Sequence, residues 1–159
     1  MKSKIIFPFL VFSLLVATSV ATTQPSSAME TGPAAFGHGQ FQFFADLISF
    51  SFEAHANEKR HARGRAVFDN LTTQTEVIVK IDCMRVTGGE ALITGTVLHS
   101  DDPDFPKSTY VVFAAFDGRG FSPDTMTPLF ANPPFSDCND PNASPPLTFF
   151  EVDNIVVQP

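Results

Sequence analysis

The sequence predicts an all-β fold: an antiparallel sandwich or small barrel of about seven to eight strands, with one disulfide. Three observations support this prediction. Apolar and polar residues alternate with a period of two along most of the chain after residue 37. Clusters of glycine, proline, asparagine and aspartate separate these runs, and no window outside the N-terminal segment has the helical period. The pattern does not distinguish a sandwich from a barrel.

The clearest strand covers residues 48–54, where Ile48, Phe50 and Phe52 alternate with polar neighbours. Gly88-Gly89 is the kind of pair that forms a tight hairpin turn. The other predicted strands lie at 40–43, 63–70, 76–84, 91–99, 109–117 and 148–157. Adjacent strands joined by short polar turns predict antiparallel pairing.

The N-terminal segment, residues 1–21, has the three parts of a secretory signal peptide. Two lysines precede an apolar run at 5–16, and small residues follow at Ser19 and Ala21. We expect cleavage after Ala21, with Ala28 as a second possible site. The mature protein is therefore expected to be extracellular or periplasmic, and no second apolar run predicts a membrane span in it.

Residues 22–36 are small and polar with prolines, and predict a flexible lead-in to a single domain at 37–159. Residues 118–147 hold seven of the 13 prolines and predict a long loop within that domain, with a strand period only in a short piece near 126–130. Without the two lysines of the signal peptide, eight basic residues face 17 acidic ones, a formal net charge of −9. Such a charge disfavours nucleic acid and anionic membranes as partners.

Cys83 and Cys138 are the only cysteines, and an even pair in an exported chain predicts a disulfide. Because Cys138 lies in the proline-rich segment, the bond is expected to tether that loop. In the strand pattern, Cys83 shares a face with Val77, Val79 and Ile81.

Acidic residues concentrate in three loops and give weak candidates for calcium ligands. These candidates are Asp101, Asp102, Asp104, Asp117, Asp124, Asp137 and Asp140. No loop has the EF-hand spacing, and Asp also favours turns without any metal. We expect no other cofactor.

Four basic residues, Lys59, Arg60, Arg63 and Arg65, fall in one predicted hairpin. They are weak candidates for binding a polyanion such as an acidic polysaccharide. The alternative is a charged hairpin tip that prevents edge-to-edge pairing of strands.

After the signal peptide the chain keeps 15 phenylalanines, against one tyrosine and no tryptophan. This content predicts either a phenylalanine-packed core or an apolar ligand cavity inside a barrel. No Gly-x-Ser-x-Gly or Ser-x-x-Lys motif is present. The sequence therefore favours a protein without enzymatic activity and does not decide the question.

Several short segments resemble a family of small exported domains, mostly bacterial, some of which follow choice-of-anchor segments. The matching pieces are Gly37–Phe41, Gly64–Phe68, Cys83–Val86, Ala91–Thr96, Asp117–Gly120 with Asp124, and Asp153–Ile155. The resemblance implies an all-β fold and implies no particular activity.

These observations lead us to expect an exported, non-enzymatic β-module with a binding or surface structural role. Two alternatives remain open. One is a small β-barrel that binds an apolar ligand, with or without enzymatic activity. The other is a calcium-stabilised module that binds glycans.

Overall fold

Ten strands, all paired antiparallel, form a single sheet in the computed structural model, which describes residues 32–57, 59–135, 137–144 and 148–159. The predicted signal peptide and most of the lead-in lie outside these ranges. The strands are β1 (Ala34–Phe43), β2 (Asp46–Ala56), β3 (His61–Asn70), β4 (Thr75–Thr87), β5 (Glu90–Ser100), β6 (Tyr110–Phe116), β7 (Asp124–Met126), β8 (Phe130–Ala131), β9 (Phe150–Val152) and β10 (Ile155–Gln158). The described residues contain no helix, and so none that could cross a membrane.

The sheet is nearly closed into a barrel, which decides between the two architectures that the sequence left open. Its strand order is β10-β1-β2-β3-β4-β5-β6-β7-β9, with β8 added to β6. Only Asp153 and Asn154 separate β9 from β10, yet β9 pairs with β7 and β10 pairs with β1. This C-terminal segment therefore joins the two ends of the sheet.

Two carboxylates hold the closing segment in place. Asp124 Oδ2 accepts a hydrogen bond from Ile155 N at 2.8 Å, and Asp117 Oδ2 accepts one from Val157 N at 3.2 Å. Asp124 Oδ1 also accepts from Gly118 N at 3.0 Å, which fixes the loop that carries both aspartates. Among the described strands β10 pairs only with β1. The two side-chain oxygens therefore bind β10 amides that would otherwise need another partner.

The strand count exceeds the prediction because of the C-terminal third of the chain. The proline-rich segment contains β7 and β8, and the predicted closing strand is divided at Asn154, where φ is +58°. The predicted lead-in also ends too late, since β1 begins at Ala34. Residues 34–37 pair with both β10 and β2, and these partners are distant in sequence and not visible in local composition.

Phenylalanines fill the barrel interior, as the packed-core interpretation of their number predicts. Phe113 is fully buried and makes edge-to-face contacts with Phe52 and Phe68, with ring centroids 5.4 and 5.3 Å apart. Phe41 stacks on Phe150 at 5.2 Å, which attaches the closing strand β9 to the core. Aromatic pairs of this geometry stabilise a core beyond their buried area alone.

A β-bulge places Cys83 on the outside of the barrel, so the predicted shared face is wrong for this residue. Ile81 pairs with Gly95 but Cys83 pairs with Thr94, so Asp82 is the extra residue of the bulge. The alternation shifts by one position, and Met84 instead of Cys83 joins the interior core. A bulge reverses which side chains face inward beyond it.

Candidate binding site at the barrel mouth

One end of the barrel holds an apolar cavity of about 160 Å³. Three chain segments between antiparallel neighbours surround it: the β1–β2 turn, the β3–β4 turn and the β5–β6 loop. The segment that follows β7 completes the end of the barrel that we call the mouth. The apolar lining comes from Phe41, Phe43, Ile48, Phe68, Val77, Phe105 and Leu129.

The strand pattern explains why these side chains meet. Phe41 and Phe43 alternate along the end of β1, and Ile48 lies opposite Phe41 at the start of β2. Phe105 from the β5–β6 loop and Leu129 from the segment after β7 pack against the core at this end of the barrel. Phe43 also meets Phe150 edge-to-face at 5.8 Å. The cavity is thus a continuation of the phenylalanine core toward solvent.

The rim of the cavity is acidic. Asp46, Asp102 and Asp104 belong to the lining, whereas no lysine, arginine or histidine of the described residues does. Within the described ranges none of the three carboxylates makes an ion pair. Asp102 Oδ1 accepts from Asp104 N at 2.9 Å, and Ser100 Oγ accepts from Asp102 N at 2.9 Å. The acidic loop is therefore held in one conformation over the cavity.

The size of the cavity limits what it can accept. An apolar cavity of roughly 150 Å³ in another protein binds benzene, whereas drug-sized ligands fill roughly 300–1,000 Å³. The mouth therefore has room for one ring or a short branched chain. Phe44, in the β1–β2 turn beside it, is 88% exposed and adds apolar surface outside the cavity.

A second, shallower depression of about 740 Å³ lies on the outer face of β1, β2 and β3. Its lining includes Phe36, His38, Glu53, His55 and Arg65. His55 Nε2 and Glu53 Oε1 are 2.9 Å apart, and Glu53 lies directly opposite Arg65 across the β2–β3 pair. Charges of both signs therefore alternate over this open face.

The predicted basic cluster is divided by the fold. Arg63 and Arg65 lie on the outer face of β3, whereas Lys59 and Arg60 lie in the β2–β3 turn. All four are exposed. Glu53 lies next to Arg65, so the field around the two strand arginines is mixed rather than uniformly basic. Binding of a polyanion there stays a prediction.

The predicted calcium residues are spread over three separate places. Asp101, Asp102 and Asp104 lie at the mouth, and Asp117 and Asp124 lie where the barrel closes. The remaining two cap turns of the proline-rich segment: Asp137 Oδ1 accepts from Asn139 N, and Asp140 Oδ1 accepts from Asn142 N. In the part of the chain that the structure describes, no three His, Cys, Asp or Glu side chains are grouped to hold a metal ion.

The disulfide between Cys83 and Cys138 is confirmed, with 5.8 Å between the two Cα atoms. It fastens what we call the tethered loop, residues 132–135 and 137–144, to the outer face of β4, β5 and β6. Phe135, Cys138 and Ala143 of this loop form a second apolar cluster with Cys83, Leu92, Val112 and Ala114. The Arg85 guanidinium donates to the carbonyl oxygens of Asp140 and Ala143.

Two buried hydroxyls lie on the same outer face. Thr94 Oγ1 and Tyr110 OH are excluded from solvent, and neither has a hydrogen-bond partner of good geometry among the described residues. Burial raises the pKa of the Tyr110 phenol above its usual value of 10.0. The Thr94 hydroxyl opposes this rise, and the negative charges of Asp137 and Asp82 add to it.

Titration of Tyr110 is a direct test of this environment, because it is the only tyrosine of the chain. The phenolate absorbance is expected to rise with a midpoint above 10.0 in the folded protein. Since the neutral form is favoured in the folded state, the free energy of unfolding should fall as the pH rises past 10.0. Tyr110→Phe should remove the absorbance change. It should also remove the part of the fall in the free energy of unfolding at alkaline pH that comes from this phenol. A midpoint at or below the usual value would contradict the buried environment.

Sequence reasoning found only part of the mouth. The sequence indicated Asp102 and Asp104 as part of an acidic loop, but as candidate calcium ligands. It did not indicate Asp46, which is a single acidic residue between apolar neighbours. The sequence signal that could have indicated the cavity is the position of Phe43 and Ile48. They lie on either side of the first hairpin turn, on the face of the strands that lines the cavity.

Fold and site together define a small antiparallel β-barrel with a disulfide-tethered outer loop and an apolar cavity at one open end. A scan of protein-family models found no match to this chain. Searches for similar curated proteins and similar solved structures also found no match.

Proposed function

We propose that this protein is an exported, non-enzymatic binding module that holds a small apolar group in the mouth cavity. The observation that carries the proposal is the apolar cavity itself, which three loops enclose at one end of a packed barrel. Concave, mostly apolar sites with a few polar groups are typical of small-molecule binding, and the mouth of a barrel is a common place for them. The proposal unites the binding role that the sequence predicts with its apolar-ligand alternative.

Two further points support the proposal. Export follows from the predicted signal peptide, and the disulfide is compatible with an oxidising compartment. The described lining of the cavity contains no histidine, cysteine, serine or lysine, and its groups able to act as a base or nucleophile are three aspartates and one threonine. Binding without chemical conversion is the simplest use of such a site.

The test is a titration with benzyl alcohol, a probe of one ring, followed by methyl NMR of the folded protein. We expect binding in the millimolar range, with shift changes concentrated on the methyl groups of Ile48, Val77 and Leu129. Leu129→Phe should fill the mouth and weaken binding by about tenfold, roughly the effect of a badly fitting apolar side chain.

The matched control is Leu98→Phe, the same exchange at a side chain that is 47% exposed and outside the cavity lining. It should bind the probe like the unchanged protein. Shift changes spread over the whole surface, or equal binding by the Leu129→Phe protein with its fold intact, would refute a site at the mouth.

A further inference from the structure

We infer that the ligand of the mouth is an organic cation, with its ammonium or guanidinium group at the acidic rim and its apolar group in the cavity. The inference rests on the proposed function, since it names the ligand class of the same site. Three features of the mouth support it: the charge of the rim, the state of its carboxylates and the aromatic walls.

The first feature is the uniform sign of the charge. Asp46, Asp102 and Asp104 are the charged members of a mostly apolar lining. Its other polar side chains, Asn70 and Thr75, are neutral, and no basic side chain of the described residues lines the cavity. The whole chain also carries a formal net charge of −7, so the long-range field attracts cations and repels anions. A neutral apolar ligand would make no use of three carboxylates, and an anionic ligand would be repelled by them.

The second feature is that most of the rim oxygens are free to accept. One oxygen of Asp102 accepts from the backbone of Asp104 and so orients that carboxylate. Among the described residues, Asp46 and Asp104 have no hydrogen bond or ion pair to their carboxylates. A cation with several N–H donors would satisfy them with charge-assisted hydrogen bonds.

The third feature is the aromatic wall below the rim. Phe41, Phe43 and Phe105 contribute rings to the lining, and the face of an aromatic ring attracts a cation within about 6 Å. The cavity of about 160 Å³ accepts an apolar body of one ring. A ligand such as an arylalkyl ammonium ion therefore matches both the charge and the size. A basic and aromatic peptide segment offers the same chemistry.

The experiment compares three ligands with the same ring: benzylamine, benzyl alcohol and benzoate, with binding measured by methyl NMR. Benzylamine should bind about three- to tenfold more tightly than benzyl alcohol, as expected for one or two partly exposed ion pairs. Benzoate should bind more weakly than either. The advantage of the amine should shrink at high salt, because screening weakens exposed charge pairs.

Failure of the inference and failure of the proposed function give different results. If benzyl alcohol binds at the mouth as tightly as benzylamine, the cation preference is refuted and the apolar site stands. If none of the three ligands shifts the methyl groups of the mouth, both are refuted. The fourth ligand is a peptide with arginine next to phenylalanine. It should bind more tightly than benzylamine if the natural ligand is a segment of a polypeptide.

Single substitutions test two of the three rim carboxylates. Asp102→Asn keeps an oxygen that can accept from Asp104 N, so the loop should stay in place while one charge is lost. We expect this variant and Asp46→Asn each to reduce the advantage of benzylamine over benzyl alcohol by about two- to fivefold. Asp153→Asn, an exposed residue outside the lining, is the control and should leave that advantage unchanged. An equal loss in the control would show a general charge effect and overturn the assignment to the rim.

Discussion

Replacement of Phe113 by alanine is expected to lower the free energy of unfolding by about 3–5 kcal/mol, the range for removing a large buried side chain. Phe113 lies in the middle of β6 with 0% exposure. Its ring touches those of Phe52 and Phe68 on two other strands, so one substitution leaves a cavity that three strands must share. Strands on both sides of the barrel would have to move to fill it, and a hydrogen-bonded sheet resists such movement.

The measurement is urea denaturation followed by circular dichroism, with the slope of the transition compared between proteins. Phe121→Ala is the matched control, because Phe121 is 98% exposed and its removal should change the free energy of unfolding by less than about 0.5 kcal/mol. If both variants lose the same stability, the phenylalanines do not form the packed interior described above.

Simultaneous replacement of Cys83 and Cys138 by alanine is expected to lower the free energy of unfolding by about 4 kcal/mol, from chain entropy alone. The two residues are 55 positions apart, so the bond removes a long closed loop from the unfolded ensemble. Replacing both cysteines avoids a free thiol that could form other disulfides. The melting temperature of the double variant, compared with that of the oxidised protein, measures the loss.

The position of the bond predicts where the loss appears first. The disulfide belongs to the outer cluster with Leu92 and Val112, not to the phenylalanine core of the barrel. Residues 137–144 should therefore gain hydrogen exchange or protease cleavage before the barrel unfolds. The oxidised protein treated with reductant is the control and should behave like the double variant. Equal protection of this loop with and without the bond would contradict the tether.

Most strands of the sheet could be predicted from local sequence, and the reason is periodicity. Strand alternation is a local property, and the interior phenylalanines Phe50, Phe52 and Phe68 could be assigned to one face from their spacing. Gly88 adopts the positive φ expected for a tight turn, +64°, since a glycine has no Cβ to clash there. The disulfide followed from counting, because the chain has only two cysteines.

The mouth could be predicted only in part. Its acidic loop was visible as a cluster of aspartates, but its chemistry depends on what lies beneath it. Phe43 from β1, Phe68 from β3 and Phe105 from a loop meet there because the sheet curves until distant strands face each other. No local pattern records that curvature.

What the sequence by itself determined is the all-β class, the order of the main hairpins and the pair of cysteines, because each depends on neighbours in the chain or on composition. The tertiary structure alone decided the closure into a barrel, the outward position of Cys83 and the cavity at the mouth. Closure needs β10 to pair with β1, more than a hundred residues away, and to donate backbone hydrogen bonds to the carboxylates of Asp117 and Asp124. The bulge at Asp82 depends on its register with β5. Such long-range pairings are set by the balance of burial and hydrogen bonding over the whole sheet, which local periodicity does not contain.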